Sequence, residues 1–127
     1  MRAVLRFLPV ACLALAACAS PTFPESGAPT PYDGQWSGTL PSDKTGCDGI
    51  TFTAEVRYGY LIGVARQKNA KVADIWGQIS SDGSWNGALG KAGISGGASS
   101  ARFTEESASG TWSSASCDGT LELRKSN

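Results

Sequence analysis

Apolar and polar side chains alternate in short runs from Asp33 to the end of the chain. In the clearest run, residues 50–57, every second side chain is apolar. These apolar positions are Ile50, Phe52, Ala54 and Val56. A period of two is that of a half-buried β-strand, and no window of about 11 residues keeps the period of a helix. The pattern therefore predicts a domain built from strands.

Turn residues separate eight such runs. The predicted strands are 35–40, 50–57, 60–66, 72–79, 84–89, 98–104, 109–113 and a last one around Leu121 and Leu123. The dipeptides Tyr58-Gly59 and Asp82-Gly83 are signals for tight hairpins, and residues 91–97 (KAGISGG) indicate a looser connection. Eight strands joined in order predict an all-β fold, a small up-and-down antiparallel barrel. A β-sandwich of two four-stranded sheets is the alternative.

The first 17 residues predict a secretory signal peptide. Arg2 and Arg6 give it a positive start, and residues 7–17 form an apolar run too short for a permanent membrane helix. The stretch Leu15-Ala16-Ala17-Cys18 resembles the lipobox of bacterial lipoproteins. This resemblance implies cleavage before Cys18, a diacylglyceryl thioether on its sulfur and an acyl group such as palmitate on its amine. The alternative is an ordinary signal peptide that happens to end at a cysteine.

Lipidation of Cys18 predicts a cellular location. Two or three acyl chains on one residue anchor a protein stably, whereas one chain does so only marginally. Ala19 stands where a signal for inner-membrane retention would carry aspartate, so the lipoprotein resemblance favours the outer membrane. We therefore expect a lipid-anchored domain that lies in the periplasm.

The four cysteines divide by position. Cys12 leaves with the signal and Cys18 carries lipid, so Cys47 and Cys117 remain for a disulfide in an oxidising compartment. The loop 41–46 must fold back over the barrel rim for the two to meet. Free thiols or a metal site are the alternative, although a chain without histidine makes a poor zinc site.

The segment 18–32 is predicted to separate the lipid from a domain at 33–127. It contains Pro21, Pro24, Pro29 and Pro31, and proline at this density favours an extended chain. A spacer is the first interpretation. An arm that docks onto another surface is the second.

Charge and chemistry give no sign of catalysis. The chain has 11 basic and 11 acidic residues, and the signal removes two of the basic ones. No basic patch indicates nucleic acid. Because the chain has no histidine, serine and cysteine lack their usual general base. We expect no enzymatic activity, no catalytic residue, no metal and no cofactor.

The tryptophans suggest two kinds of surface. Trp36, Trp85 and Trp112 alternate with small residues, which predicts that they fill the barrel or, alternatively, line a ligand pocket. Trp76 falls on the opposite parity and is predicted to face outward. Together with nearby side chains it is a candidate partner-binding patch, since Trp, Tyr and Arg dominate interface energetics. The other members of this predicted patch are Arg57, Tyr58, Tyr60 and Arg66. Alternatively, Trp76 covers Gly63 on the adjacent strand.

The domain from Asp33 to Lys125 also resembles the small eight-stranded barrels of bacterial lipoproteins and metalloprotease inhibitors. The likeness rests on size, strand number, the opening Gly34-Gln35-Trp36 and one disulfide, although the cysteine positions depart from the inhibitor pattern. It implies a non-catalytic domain that binds a protein partner, possibly a protease. A structural lipoprotein without a ligand, or a carrier of a small hydrophobic ligand inside the barrel, is the alternative.

Overall fold

The alternating runs form eight strands in the computed structural model, which describes residues 21–91 and 94–126. The strands are β1 (Gly34–Thr39), β2 (Ile50–Arg57), β3 (Tyr60–Gln67), β4 (Ala70–Gln78), β5 (Ser84–Lys91), β6 (Ile94–Phe103), β7 (Ser107–Ser114) and β8 (Asp118–Lys125). Each pairs antiparallel with the next, and β1 pairs with β8 to close the barrel. The predicted up-and-down barrel is confirmed, and the sandwich alternative is wrong.

Tight turns set the register of the first hairpins. Tyr58 and Gly59 both have positive φ, 53° and 78°, as a type I′ turn requires. Arg57 therefore pairs with Tyr60, and the inward residues Val56 and Phe52 of β2 pair with the inward residues Leu61 and Ala65 of β3. Lys68 and Asn69 form an equivalent turn between β3 and β4, also with positive φ.

The predicted loose connection at 91–97 is wrong. β5 runs to Lys91 and β6 starts at Ile94, so most of this segment is strand. The glycines of this segment have a packing role that the sequence does not reveal. Gly97 faces inward, and both Gly90 and Gly97 lie against backbone atoms of a neighbouring strand, where a side chain would clash. Close backbone approach is a known use of glycine within a strand.

The barrel has two different ends. We call the end at which β1 begins and β8 finishes the proximal end. It also carries the hairpin turns at 58–59, 79–83 and 104–106. The opposite, distal end carries the long connection 40–49 and the connections at 68–69 and 115–117.

One disulfide staples the distal end. Cys47 and Cys117 are bonded, with their Cα atoms 5.8 Å apart, so the predicted pairing is confirmed. The loop before Cys47 folds across the rim as predicted, because Thr120 N donates to Pro41 O and Ser42 Oγ donates to Asp118 O. Among residues 21–91 and 94–126, all strands, the buried core and the disulfide lie within residues 32–125, as is typical of a domain with its own core.

The N-terminal arm, residues 21–33, lies against the proximal end. Tyr32 belongs to the buried core, and its carbonyl accepts a hydrogen bond from Trp36 Nε1 at 2.9 Å. Farther out, the guanidinium of Arg57 lies 4.6 Å from the ring centre of Phe23. Part of the arm is therefore docked onto its own barrel.

The predicted signal peptide and the lipidation site Cys18 lie outside the described residues. Within the described part of the chain, no helix is long and apolar enough to cross a membrane.

Candidate functional site

The distal end holds an open apolar cavity of about 670 Å³, which we call the distal cup. Its wall is mostly aliphatic and is completed by one aromatic ring. The apolar lining consists of Leu40, Ile50, Ala65, Val72, Ala73, Leu89, Ile94, Trp112, Ala115 and Cys117. A volume of this size lies within the range of pockets that bind small molecules.

Side-chain size along the strands creates the cup. On β3 the inward residue near the proximal end is Leu61, whereas Ala65 occupies the same face near the distal end. On β4, Ile75 is followed towards the distal end by Ala73. Small residues at one level of both strands leave space there.

Two bulges widen the distal rim. The register between β3 and β4 shifts after Ala65, which leaves Val72 as an extra residue, and that between β5 and β6 shifts after Leu89, which leaves Gly96. Bulges are common at barrel rims, where they bend a strand and increase its twist. Both extra residues line the distal cup.

The wall of the cup is held in place by polar contacts. Gln67 Nε2 donates to the carbonyl oxygens of Gly46, at 2.9 Å, and Asp48, at 2.7 Å. Together with the disulfide, these bonds fix the loop that carries Cys47. The cup is therefore largely preformed, and a ligand need not order this loop on binding.

Trp112 has an unsatisfied polar atom beside the cup. The residue is 5% exposed, and its Nε1 has no hydrogen-bond partner among the described residues. A buried donor left unpaired costs about 1–3 kcal/mol. The distal end therefore carries both empty space and an unpaired donor.

The proximal end is sealed by aromatic rings. Phe103 lies at the centre, with edge-on contacts to Trp36, Trp85 and Tyr32 at centroid distances of 5.0, 6.0 and 6.2 Å. The interior therefore opens at one end only. Of the three tryptophans predicted to fill the barrel, Trp36 and Trp85 do so, and Trp112 is also buried but borders the cup.

Asp33 locks the arm to the first hairpin at the sealed end. Its carboxylate accepts hydrogen bonds from the backbone N–H groups of Tyr58 and Gly59 and from Thr30 Oγ1. Burial raises the pKa of this carboxyl, but the hydrogen bonds together outweigh burial, and the pKa lies below its ordinary value. The charged form of Asp33 therefore stabilises the turn.

The predicted partner-binding residues are spread over the barrel. Trp76 is half-buried and pairs in register with Ile62 and Ala88, as expected of an outward position. Arg66 is close to the distal end, whereas Arg57 and Tyr58 lie at the proximal end. The five residues therefore do not form one compact patch.

The arm covers part of this predicted patch. Phe23 lies against Arg57, and Gly27 lies against the Tyr58 side chain. Arg57 also donates to Glu55, which raises the pKa of its guanidinium, while burial raises the pKa of Tyr60. These contacts use surface that a partner would otherwise reach.

Trp76 does not cover Gly63. Gly63 pairs with Ile75 and faces the interior, where the Phe52 ring lies over it. Trp76 instead lies at the edge of an open groove of about 770 Å³ on the outer face. That groove is shallow and walled by small residues such as Asn86, Ser100 and Ser113, so it has less apolar surface to offer than the cup.

No three His, Cys, Asp or Glu side chains among residues 21–91 and 94–126 are grouped so as to hold a metal ion. A scan against protein-family models finds no match, and a search of curated proteins finds no similar sequence. The distal cup is therefore the feature of the described structure that best supports a functional proposal.

The sequence analysis did not identify the distal cup. Its lining comes from six strands and two loops, and Ile94 was assigned to a loose connection. One signal was present: the inward pair Ala65 and Ala73 has two small side chains, whereas the inward pairs Leu61–Gly77 and Gly63–Ile75 each contain one large side chain. That signal has meaning only when the strand directions are known.

Proposed function

We propose that this protein is a non-catalytic lipoprotein of the bacterial outer membrane whose periplasmic barrel binds a small apolar ligand in the distal cup. The observation that carries the proposal is the preformed aliphatic cavity at one end of an otherwise filled barrel. Burying apolar ligand surface there contributes about 25 cal/mol per Å².

The lipobox Leu15-Ala16-Ala17-Cys18 supports the anchor. Mass spectrometry of the purified protein tests it: the expected N-terminal peptide begins at Cys18 and carries two or three acyl chains. An intact leader with an unmodified Cys18 would contradict the proposed membrane anchor.

The docked arm supports an orientation for the anchored barrel. Phe23 is the fifth residue after Cys18, and five residues span at most about 18 Å. Phe23 lies at the proximal end, so the lipid would hold that end near the bilayer. The distal cup would then open away from the membrane, towards molecules in the periplasm.

A binding experiment with a neutral apolar dye tests the ligand site. We expect residues 19–127, without lipid, to enhance the fluorescence of N-phenyl-1-naphthylamine. Ala65 is 2% exposed and lines the cup, so Ala65→Phe should fill the site and abolish the enhancement. Ala98→Phe is the matched control, because Ala98 lies on the outer groove.

Two results would contradict the proposal. One is an absence of dye binding by the wild-type chain. The other is loss of binding in Ala98→Phe but not in Ala65→Phe, which would assign binding to the outer groove. Because overpacking costs about 1–3 kcal/mol, near-UV circular dichroism must show that Ala65→Phe is folded. Val72→Trp, at the partly buried bulge, is the substitute blocking variant.

A protein partner, possibly a protease, is the second candidate function, and Ile94 favours it. This side chain lies at the rim of the cup and is 73% exposed, and it is the one exposed large hydrophobic residue in the described part of the chain. Single exposed apolar side chains are common on protein surfaces, but Ile94 extends the apolar lining of the cup, and a contiguous apolar surface is typical of docking sites. A photo-crosslinking residue at position 94, with position 105 as the control, should capture one envelope protein. Equal capture at both positions would argue against this candidate.

A further inference from the structure

The distal cup has one charged residue among its described lining, Lys91. Lys91 is the last residue of β5, at the rim, and is exposed. No ion pair or side-chain hydrogen bond joins it to another described residue. A cation therefore stands beside an apolar cavity without a carboxylate to balance it.

Other lysines of the distal end differ from Lys91. Lys44 pairs with Asp118 at 3.6 Å, and Lys71 pairs with Asp74 at 3.2 Å. Lys68 is exposed in the β3–β4 turn, but it does not line the cup. Lys91 is thus the cation placed to meet a group that emerges from the cavity.

We propose that the ligand is an amphiphile with a single carboxylate, whose apolar chain fills the distal cup and whose carboxylate pairs with Lys91. This inference rests on the proposed function, which it makes more specific. The aliphatic wall suits a hydrocarbon chain, and the long stem of a lysine can lie along apolar surface while its ammonium stays in water.

The number of cations favours one negative charge. A phosphate dianion is usually met by several donors or by an arginine that binds two oxygens at once. The described lining of the cup has one lysine and no arginine. A long-chain carboxylate therefore matches the rim better than an alkyl phosphate does.

The size of the expected preference follows from the exposure of Lys91. Ion pairs in contact with water are weak and are screened by salt. We expect the chain to bind dodecanoate about threefold to fivefold more tightly than dodecanol at low ionic strength. High salt should remove most of this preference.

The experiment measures displacement of N-phenyl-1-naphthylamine from residues 19–127 by dodecanoate, dodecanol and dodecyl phosphate. Lys91→Gln should abolish the preference for dodecanoate, measured as the ratio of the dodecanoate and dodecanol affinities, so that any change in the cavity wall that affects both compounds cancels. Lys68→Gln, which changes a lysine of the same end outside the lining, should behave as the wild type.

The outcomes separate the two proposals. If all three compounds bind equally in the wild type, or if Lys91→Gln keeps the preference, the carboxylate proposal is wrong and the apolar site stands. Tighter binding of dodecyl phosphate than of dodecanoate would also overturn the carboxylate. If neither the dye nor any compound binds, the proposed function fails as well.

Discussion

The two ends of the barrel differ in how far side chains fill the interior. At the proximal end, three aromatic rings make edge-on contacts with Phe103, and the indole N–H of Trp36 donates a hydrogen bond to the carbonyl of Tyr32. At the distal end, alanines leave a cavity, while an indole N–H without a partner among the described residues is found at each end, in Trp85 and in Trp112. One end is filled by side chains and the other is held by a covalent bond.

The position of the disulfide follows from this difference. A small domain buries too little surface to stabilise every region by packing, and a cross-link compensates. The Cys47–Cys117 bond closes a sequence separation of 70 residues at the end with the weaker core. The comparison indicates that the staple allows the distal end to stay open, which is what a binding site needs.

Removal of the disulfide should have the largest effect. The Cys47→Ala, Cys117→Ala double variant should lose about 4 kcal/mol of unfolding free energy, because the unfolded chain regains the entropy of a long loop. Urea denaturation measures the loss, and chemically reduced wild type is the control. A loss below about 1 kcal/mol would mean that non-covalent contacts such as those of Gln67 hold the rim.

A matched pair of leucines compares the packing of the two ends directly. Leu61→Ala, at the proximal end, should cost about 3–4 kcal/mol, because the fully buried side chain leaves a closed cavity. Leu89→Ala should cost about 2 kcal/mol, because that side chain already borders the cup. Equal losses in urea denaturation would contradict the idea that the distal core is looser.

A pair of tryptophans compares a buried indole N–H that has a hydrogen-bond partner with one that has none. Both Trp36→Phe and Trp112→Phe replace a buried indole by a smaller ring. Only Trp36→Phe breaks a hydrogen bond, the one that Trp36 Nε1 donates to Tyr32 O. Trp36→Phe should therefore cost about 1 kcal/mol more than Trp112→Phe. Thermal and urea unfolding of the two variants measure the difference, and the reverse order would show that Trp112 Nε1 has a partner, such as an ordered water.

The contribution of Asp33 should depend on pH. Its pKa is lower in the folded protein than the ordinary value of 3.8, so its charge stabilises the fold above about pH 4 and this stability is lost as the pH falls through the folded value. Asp33→Asn should cost about 1 kcal/mol at neutral pH and progressively less in acid. Unfolding measured from neutral pH to about pH 2 tests this, with Asp43→Asn as an exposed control. A pH-independent difference would contradict the role of the charge.

Several features of the fold could be predicted because they depend on local rules. The alternation at 50–57 placed Phe52 and Val56 inside, and the turn at Tyr58-Gly59 set the register of the hairpin. The pairing of Cys47 with Cys117 followed from counting cysteines, once Cys12 had been assigned to the predicted leader and Cys18 to the predicted lipid.

Other features could not be predicted because they depend on contacts between distant segments. The segment 18–32 was interpreted first as a spacer, yet Tyr32 lies in the core and Phe23 lies against Arg57. Trp76 was expected to join Arg66 and Tyr58 in one patch, but Arg66 and Tyr58 lie near opposite ends of β3. Residue type alone does not say which outward positions share a level of the barrel.

The sequence by itself determined which side chains face inward, since the parity of a strand is a property of consecutive residues. Only the tertiary structure decided where those side chains fail to fill the interior. Ala65 and Ala73 leave a cavity because they meet at one level beside the bulge at Val72, while the large rings of Trp36, Trp85 and Phe103 meet at the other end. Empty space is a property of the whole barrel, because it depends on how strands far apart in the chain are staggered against one another.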